Sequence, residues 1–354
     1  MLGAEFQYRD KVQVGVLGAT GAVGQKFIEL LAEHPWFELT ALAASERSVG
    51  KPYKEVVNWI LSKPLPFQAA EMVVQPCEPN LPCNIVFSGL DASVAGEIEK
   101  AFAEKGYIVV SNASHHRMGP NIPLLIPEVN PEHLELIQFQ TTKGKIVTNP
   151  NCSVIGLALA LKPLQQQFGI EALHVTTLQA VSGAGYPGVP SLDIFDNIIP
   201  FIRNEEEKLE TEPLKILGML HGHKIQPAEI KISAQCNRVP VTDGHTACVS
   251  IKLKAKPSMP EMIAAWENFT SLAQSLDLPL APKRPIHYFP QENYPQPRLH
   301  RHLDKGMAVS IGRLQPCPLL DYKFTLLSHN TLRGAAGCAL LNAELMMKKG
   351  HIYW

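Results

Sequence analysis

The turn Gly18-Ala19-Thr20-Gly21-Ala22-Val23-Gly24 follows an apolar run at 11–17 (KVQVGVL) and opens a stretch to about Glu33 with Val23, Phe27, Leu30 and Leu31 at helical spacing. A buried strand, a turn of small residues and a helix in that order leave few folds open. Small residues let the main chain approach a bound group, and the N–H groups at a helix start attract negative charge, so the physics is that of a pyrophosphate site. Glycine spacing alone is weak evidence; the strand and helix around it make a dinucleotide site the expectation, against a tight strand-to-helix turn with no ligand.

A second strand at 38–44 follows His34-Pro35, and further strands are expected at 72–74, 84–87 and 107–110, with a helix at 92–105. This alternation predicts a mostly parallel sheet covered on both faces. From Asn149 the texture changes. A helix over about 153–168 leads into strands at 172–181 and 245–254, the latter alternating His245, Ala247, Val249, Ile251 against Thr246, Cys248, Ser250, Lys252, as in a sheet with unlike faces. The segment 183–222 has the character of a functional loop with a short helix, the Pro-dense stretches 277–298 and 316–318 read as irregular connections, and 331–349 is apolar at helical spacing. The reading is α/β: a nucleotide-binding half, 1–149, completed by a C-terminal helix within 330–354, and an α+β half, 150–329.

With 32 Lys plus Arg against 33 Asp plus Glu, the chain lacks the basic surface that nucleic acids or anionic membranes require, and 45% apolar residues exclude general disorder. No apolar stretch reaches the roughly 18–20 residues that span a bilayer, and the start has no basic segment followed by an apolar one, so a cytoplasmic protein is expected. The seven cysteines (77, 83, 152, 236, 248, 317, 338) are scattered and never spaced Cys-x-x-Cys, so neither a disulfide framework nor a cysteine zinc site is expected. The pairs His115-His116, His221/His223 and His300/His302 lack acidic or thiol partners to complete a metal set.

At the end of the second strand an NAD site would place a carboxylate for the ribose hydroxyls. The sequence there is Ala44-Ser45-Glu46-Arg47-Ser48. Two hydroxyls and a guanidinium suit a 2′-phosphate, so NADP is expected, with Glu46 as the residue that argues the other way. Asn149-Pro-Asn151-Cys152 opens the helix of the second half, where free N–H groups and the macrodipole favour a thiolate, so Cys152 is the expected nucleophile. His245, at the mouth of a strand after Thr242-Asp243-Gly244, is a candidate proton relay.

GATGAVGQ at 18–25, SNASHHRM at 111–118, NPNCSVIG at 149–156, LQAVSGAGYPGVPSLD at 178–193, NEEEK at 204–208, RVPVTDGH at 238–245 and HNTLRGAAG at 329–337 occur in this order over nearly the whole chain. In these motifs it resembles the aspartate-β-semialdehyde dehydrogenase family, archaeal and fungal-like branch. The resemblance implies a glyceraldehyde-3-phosphate dehydrogenase-like fold with a Rossmann-type NADP-binding domain and an α+β catalytic and dimerisation domain, assembled as a homodimer or homotetramer. It implies NADPH-dependent reductive dephosphorylation of L-4-aspartyl phosphate to L-aspartate 4-semialdehyde, toward lysine, threonine, methionine and diaminopimelate. By the same resemblance Cys152 is the nucleophile, His245 the acid/base group and Gln179 a residue that orients the substrate. Arg238 holds the carboxylate, Arg117, Asn151 and Lys208 the phosphate, and Glu205 the amine, with Glu206 or Glu207 as alternatives. Ser88, Gly89 and Asn112 are expected to line the cofactor groove, and Ser182, Gly183 and Asn330 to lie near the nicotinamide. A malonyl-CoA or related acyl-CoA reductase of the same fold is the alternative enzyme. A catalytically silent NADP-binding scaffold is the alternative of another class.

Overall fold

The structure is a computed structural model that describes residues 11–352. The first ten residues, where no leader was expected, lie outside that range. The opening apolar run forms the strand Val12–Leu17, buried on both faces as a central parallel strand must be. It is the third of six parallel strands, in the order Gln75–Pro76, Phe37–Ala44, Val12–Leu17, Ile85–Ser88, Ile108–Ser111, Lys145–Thr148. That is the doubly wound order in which the chain reverses direction between Val12–Leu17 and Ile85–Ser88, leaving a crevice at their carboxyl ends. The expected strand at 72–74 is reduced to a bridge between Val73 and Pro52, with pairing taken up by Gln75–Pro76.

The second sheet is mixed. Its order is Lys231–Arg238, Ile170–Gln179, His245–Leu253, Tyr322–Ser328, Val309–Pro316, Ile286–Phe289, with parallel pairs at both ends and antiparallel pairs between. In His245–Leu253 the alternation is obeyed, with His245, Ala247, Val249, Ile251 and Leu253 buried. The helix Cys152–Phe168 packs on this inner face with nearly every residue from Ser153 to Leu164 buried, and Trp266 Nε1 donates to the Ala160 carbonyl at 2.9 Å. The segment 183–222 contains more order than expected: a twelve-residue helix, Glu205–Ile216, and a short hairpin, Met219–His221 with Lys224–Gln226. Within the Pro-dense 277–298, Ile286–Phe289 forms an edge strand.

The C-terminal helix, Gly337–Lys348, packs into the core of the first sheet, where Ala339, Leu340, Leu345 and Met346 join Val14, Val16 and Phe27. It is preceded by a π-helical turn, Leu332–Ala336, from which Arg333 donates to both oxygens of Glu128 at 2.6 and 2.7 Å, with both side chains fully buried. Losing one partner of such a pair leaves an uncompensated charge in the interior, at about 3–5 kcal/mol. Glu128→Ala is therefore expected to lower unfolding free energy by about that amount, whereas exchanging both residues for apolar ones costs less. Urea titration of the single and double variants checks the difference.

Candidate active site

The dinucleotide turn is built by close backbone contacts. Gly18 has φ +72°, which favours glycine, and a Cβ on Gly24 would stand 2.2 Å from the Gly18 carbonyl oxygen. Gly89 closes on the same turn: a Cβ on Gly18 would lie 2.9 Å from its carbonyl oxygen. The helix Ala22–Leu31 begins here with Gly21 as N-cap, and Thr20, Ala22 and Val23 complete the loop over its open N–H groups. Ser45, Glu46 and Arg47 are exposed at the end of the second strand, and Ser48 is buried and folds back to the Ser45 carbonyl. Ser88 is fully buried, and Asn112 lies beside it with its amide directed at the Ser88 carbonyl. This cradle, at the reversal point of a 3-2-1-4-5-6 sheet, fits a dinucleotide whose phosphates sit on a helix start.

Cys152 is the first residue of its helix, and Asn151 is the cap. Asn151 Oδ1 accepts from the Ser153 and Val154 N–H groups at 2.9 and 3.3 Å, and its side-chain amide Nδ2 donates to both Glu205 oxygens at 2.9 Å. Its side chain is thus committed to the helix start and to Glu205. Of the three consecutive glutamates, Glu205 is the buried one facing this centre, where it also accepts from Lys208 Nζ at 2.8 Å and Gln179 Nε2 at 3.2 Å. Glu206 turns to the Cys236 N–H instead, and Glu207 is exposed. Gln179 is buried with its amide on Glu205 and Thr177.

His245 Nε2 stands 3.2 Å from Cys152 Sγ, and its Nδ1 accepts from the Ala180 N–H at 3.1 Å. Because an amide N–H can only donate, Nδ1 carries a lone pair and the proton of the neutral ring sits on Nε2, facing the sulfur. Protonating Nδ1 would set two donors against each other. Burial, with the charges of Arg238 and His329, holds the imidazole down at about 3. Burial also pushes the Cys152 thiol up to about 12, with Glu205 adding to the rise and Arg117, Arg238 and Lys208 opposing it. The expectation of a thiol lowered by its helix start is therefore corrected: desolvation is the larger effect here.

Arg238 and His245 converge on Gly183, where a Cβ would lie 2.9 Å from Arg238 Nη1 and 3.0 Å from His245 Cε1. Arg238 Nη1 also donates to the Ala180 carbonyl at 2.7 Å. Asn330 accepts from the Gly244 N–H at 2.8 Å and donates to Ser182 Oγ at 2.8 Å, so it fastens the turn before His245 to Ser182. Gly334 approaches from the C-terminal segment, where a Cβ would stand 2.8 Å from Cys152 Cβ. Arg117 donates to Glu212 Oε1 at 2.8 Å and to the Asn112 carbonyl at 2.7 Å. Glu212 and the Ala180 N–H were missed by the sequence reading. Glu212 lies seven residues after Glu205 on the same helix, a spacing that could have flagged it. Among the described residues, no three His, Cys, Asp or Glu side chains gather as a metal site.

The NAD-binding domain of semialdehyde dehydrogenases matches residues 13–137, and the semialdehyde dehydrogenase dimerisation domain matches 161–333. An aspartate-semialdehyde dehydrogenase of Archaeoglobus fulgidus is 52% identical over 344 residues, covering 96% of this chain and 99% of the relative. That of Saccharomyces cerevisiae is 49% identical over 358 residues, covering 96% and 98%. The chain belongs to the aspartate-semialdehyde dehydrogenase family. The crystal structure of the family member from Candida albicans, with NADP, superposes with a TM-score of 0.90 at 45% identity, covering 97% of this chain and all of that one. A second enzyme from Vibrio cholerae, complexed with ASA, gives 0.76 at 28% identity over 96% of this chain and 99% of that one. Membership makes the chain an oxidoreductase with a nicotinamide-dinucleotide domain.

The two perturbed groups predict a pH response. A thiol held near 12 beside an imidazole neutral above about 3 has no ion pair to create a thiolate at low pH. Alkylation of Cys152, followed by peptide mass, is expected to accelerate about tenfold per pH unit from 7 to 9. A rate plateau between pH 5 and 8 would instead report a thiolate–imidazolium pair.

Proposed function

We propose that this family member catalyses NADPH-dependent reductive dephosphorylation of L-4-aspartyl phosphate to L-aspartate 4-semialdehyde, a step of amino-acid biosynthesis. The observation that carries the reading is the 3.2 Å approach of His245 Nε2 to Cys152 Sγ within a ring of Arg117, Lys208, Arg238 and Glu205. The substrate carries a phosphate, a carboxylate and an ammonium. Arg238 suits the carboxylate as a planar two-donor fork, Arg117 and Lys208 suit the phosphate, and Glu205 suits the ammonium. Asn151 supports the phosphate side by holding the helix start and Glu205 rather than by a free amide.

In this mechanism the Cys152 thiolate attacks the acyl carbon, the carbonyl becomes an oxyanion, and its collapse expels phosphate and leaves a thioester. Reduction of this thioester takes a hydride, which NADPH would supply when bound. The resulting thiohemiacetal oxyanion collapses to aldehyde and returns the thiolate. The thiol proton leaves to solvent, since Nε2 already carries a proton and Nδ1 is held by the Ala180 N–H, and no later step requires one; the acid/base role expected of His245 therefore narrows to donating Nε2–H to the sulfur and to each oxyanion. An ammonium seated on Glu205 offsets the carboxylate that raises the thiol, so the correct substrate favours the reactive form. Gln179 orients Glu205 in this scheme. Gly18–Gly24, Ser88, Gly89 and Asn112 would hold the cofactor, with Ser45, Arg47 and Ser48 toward its 2′-phosphate and Ser182, Gly183 and Asn330 toward its nicotinamide.

The same reading divides the chain into an NADP-binding domain, 1–149 with 330–354, and a catalytic and dimerisation domain, 150–329. It takes the enzyme as cytoplasmic, in keeping with the described residues, which contain no helix long and apolar enough to cross a membrane. A second copy of the chain, as a homodimer or a homotetramer, is supported by the exposed apolar side chains Tyr186, Leu192, Phe195, Ile198 and Phe201.

The decisive assay is NADP reduction with aspartate semialdehyde, expected to depend on phosphate and to disappear in Cys152→Ser. CoA-dependent oxidation without phosphate dependence would give the reaction to an acyl-CoA reductase. Loss of the Arg47 guanidinium should raise the KM for NADPH by about tenfold while leaving that for NADH within about twofold, from one charge-assisted phosphate contact. An unchanged NADPH KM in Arg47→Ala would move the 2′-phosphate elsewhere.

A further inference from the structure

Four of the charged residues of the helix Glu205–Ile216, namely Glu205, Lys208, Glu212 and Lys215, recur at intervals of three, four and three, which places them along one face. The first two belong to the site described above. Glu212 is 3% exposed, and its two oxygens serve different segments: Oε1 accepts from Arg117 Nη1 at 2.8 Å and Oε2 from the main-chain N–H of Asn151 at 2.7 Å. Lys215, also buried, donates to the carbonyls of Arg117, Gly119 and Ile122 at 2.7, 2.8 and 2.8 Å. Burying a carboxylate and an ammonium is unfavourable unless each is fully hydrogen-bonded. Here both are, and every bond ends on the segment that bears Arg117 or on the residue before the nucleophile.

We infer that Glu212 is a positioning residue for Arg117, a strut that fixes the guanidinium relative to the main chain preceding Cys152, while Lys215 fixes the main chain of the loop that carries it. The inference rests on the reading of Arg117 as the phosphate-site arginine. One carboxylate sets the spacing between the arginine and the cysteine helix. A second contact, from Arg117 Nη2 to the Asn112 carbonyl, fixes the plane of the fork. Two of the five guanidinium N–H donors are used in this way, and the others remain for an oxyanion. Arg117 and the Asn151 N–H sit on different oxygens of Glu212, and glutamine replaces one of these with an NH2 donor, so one of the two bonds is lost where the groups stand.

Separate titrations of phosphate, aspartate semialdehyde and NADP in the oxidative direction test this on the full-length enzyme. Glu212→Gln is expected to raise the phosphate KM about tenfold, with the other two KM values within about twofold, because small misplacements of a binding group carry penalties of that size. Lys215→Met, which leaves both Glu212 bonds intact, is expected to raise the same KM several-fold and serves if Glu212→Gln does not fold. Arg117→Leu sets the scale. If Arg117→Leu leaves the phosphate KM unchanged, the phosphate reading itself falls and takes this inference with it. If Arg117→Leu raises it while Glu212→Gln and Lys215→Met stay within twofold, the strut is wrong. A parallel loss in kcat with no separation among the three KM values also overturns it, since a purely structural defect behaves in that way.

Discussion

The cap of the helix that begins at Cys152 is the constraint on which the site depends. A helix start leaves N–H groups without partners, and Asn151 takes two of them with its side-chain oxygen while its own N–H and amide are held by Glu212 and Glu205. Two carboxylates from one helix therefore hold the cap of another. The cap cannot shift without moving the sulfur, and neither glutamate can shift without releasing the cap. This linkage joins the second domain to Arg117, which arrives from the first sheet's side, and makes a single charged cluster out of segments about ninety residues and more apart in the chain.

The cluster holds four cations to two carboxylates, and that excess of positive charge has consequences. Arg117, Lys208, Arg238 and Lys215 face Glu205 and Glu212, with Glu212 matched to Arg117 and Glu205 to Lys208. A buried group of unpaired cations would be costly to fold, and a fully neutralised one would not attract a doubly charged anion. Arg238, whose terminal nitrogen is bonded to the Ala180 carbonyl rather than to a carboxylate, keeps its charge uncompensated by a bonded anion in this arrangement. The small net charge of the whole chain thus conceals a local arrangement in which placement matters more than number.

Much of this architecture was legible because its determinants are local. The dinucleotide turn declares itself through glycines that a side chain would jam, and the place of Cys152 at a helix start through the residues beside it, both within a few residues of sequence. The alternation in His245–Leu253 likewise follows from one face being buried. What escaped was long-range. Glu212 reads as one more charge in a polar run, and only folding brings Arg117, 95 positions earlier, onto it. The run read as loop with only a short helix because few apolar residues, Leu209, Pro213 and Ile216, mark its buried side, much of the rest being charged and paired. The short strand expected at 72–74 failed for the opposite reason: Met72-Val73-Val74 has strand-like composition, but Val73 is 53% exposed and the segment pairs only with the short stretch 50–53, opposite Pro52, rather than with the sheet.

The thiol value is the point at which local and long-range physics oppose each other. A cysteine at a helix start ought to ionise readily, yet the same packing that gives the cap its rigidity removes the water that would stabilise a thiolate, and Glu205 lies close enough to oppose it. Relief requires either a positive group on Glu205 or a donor on the sulfur. His245 supplies the donor, since the Ala180 N–H orients its ring with Nε2–H toward Sγ. An amine on Glu205 supplies the other. On the proposed reading, Cys152 becomes reactive when both are in place, and the residue proposed to take the amine is also one that governs the thiol.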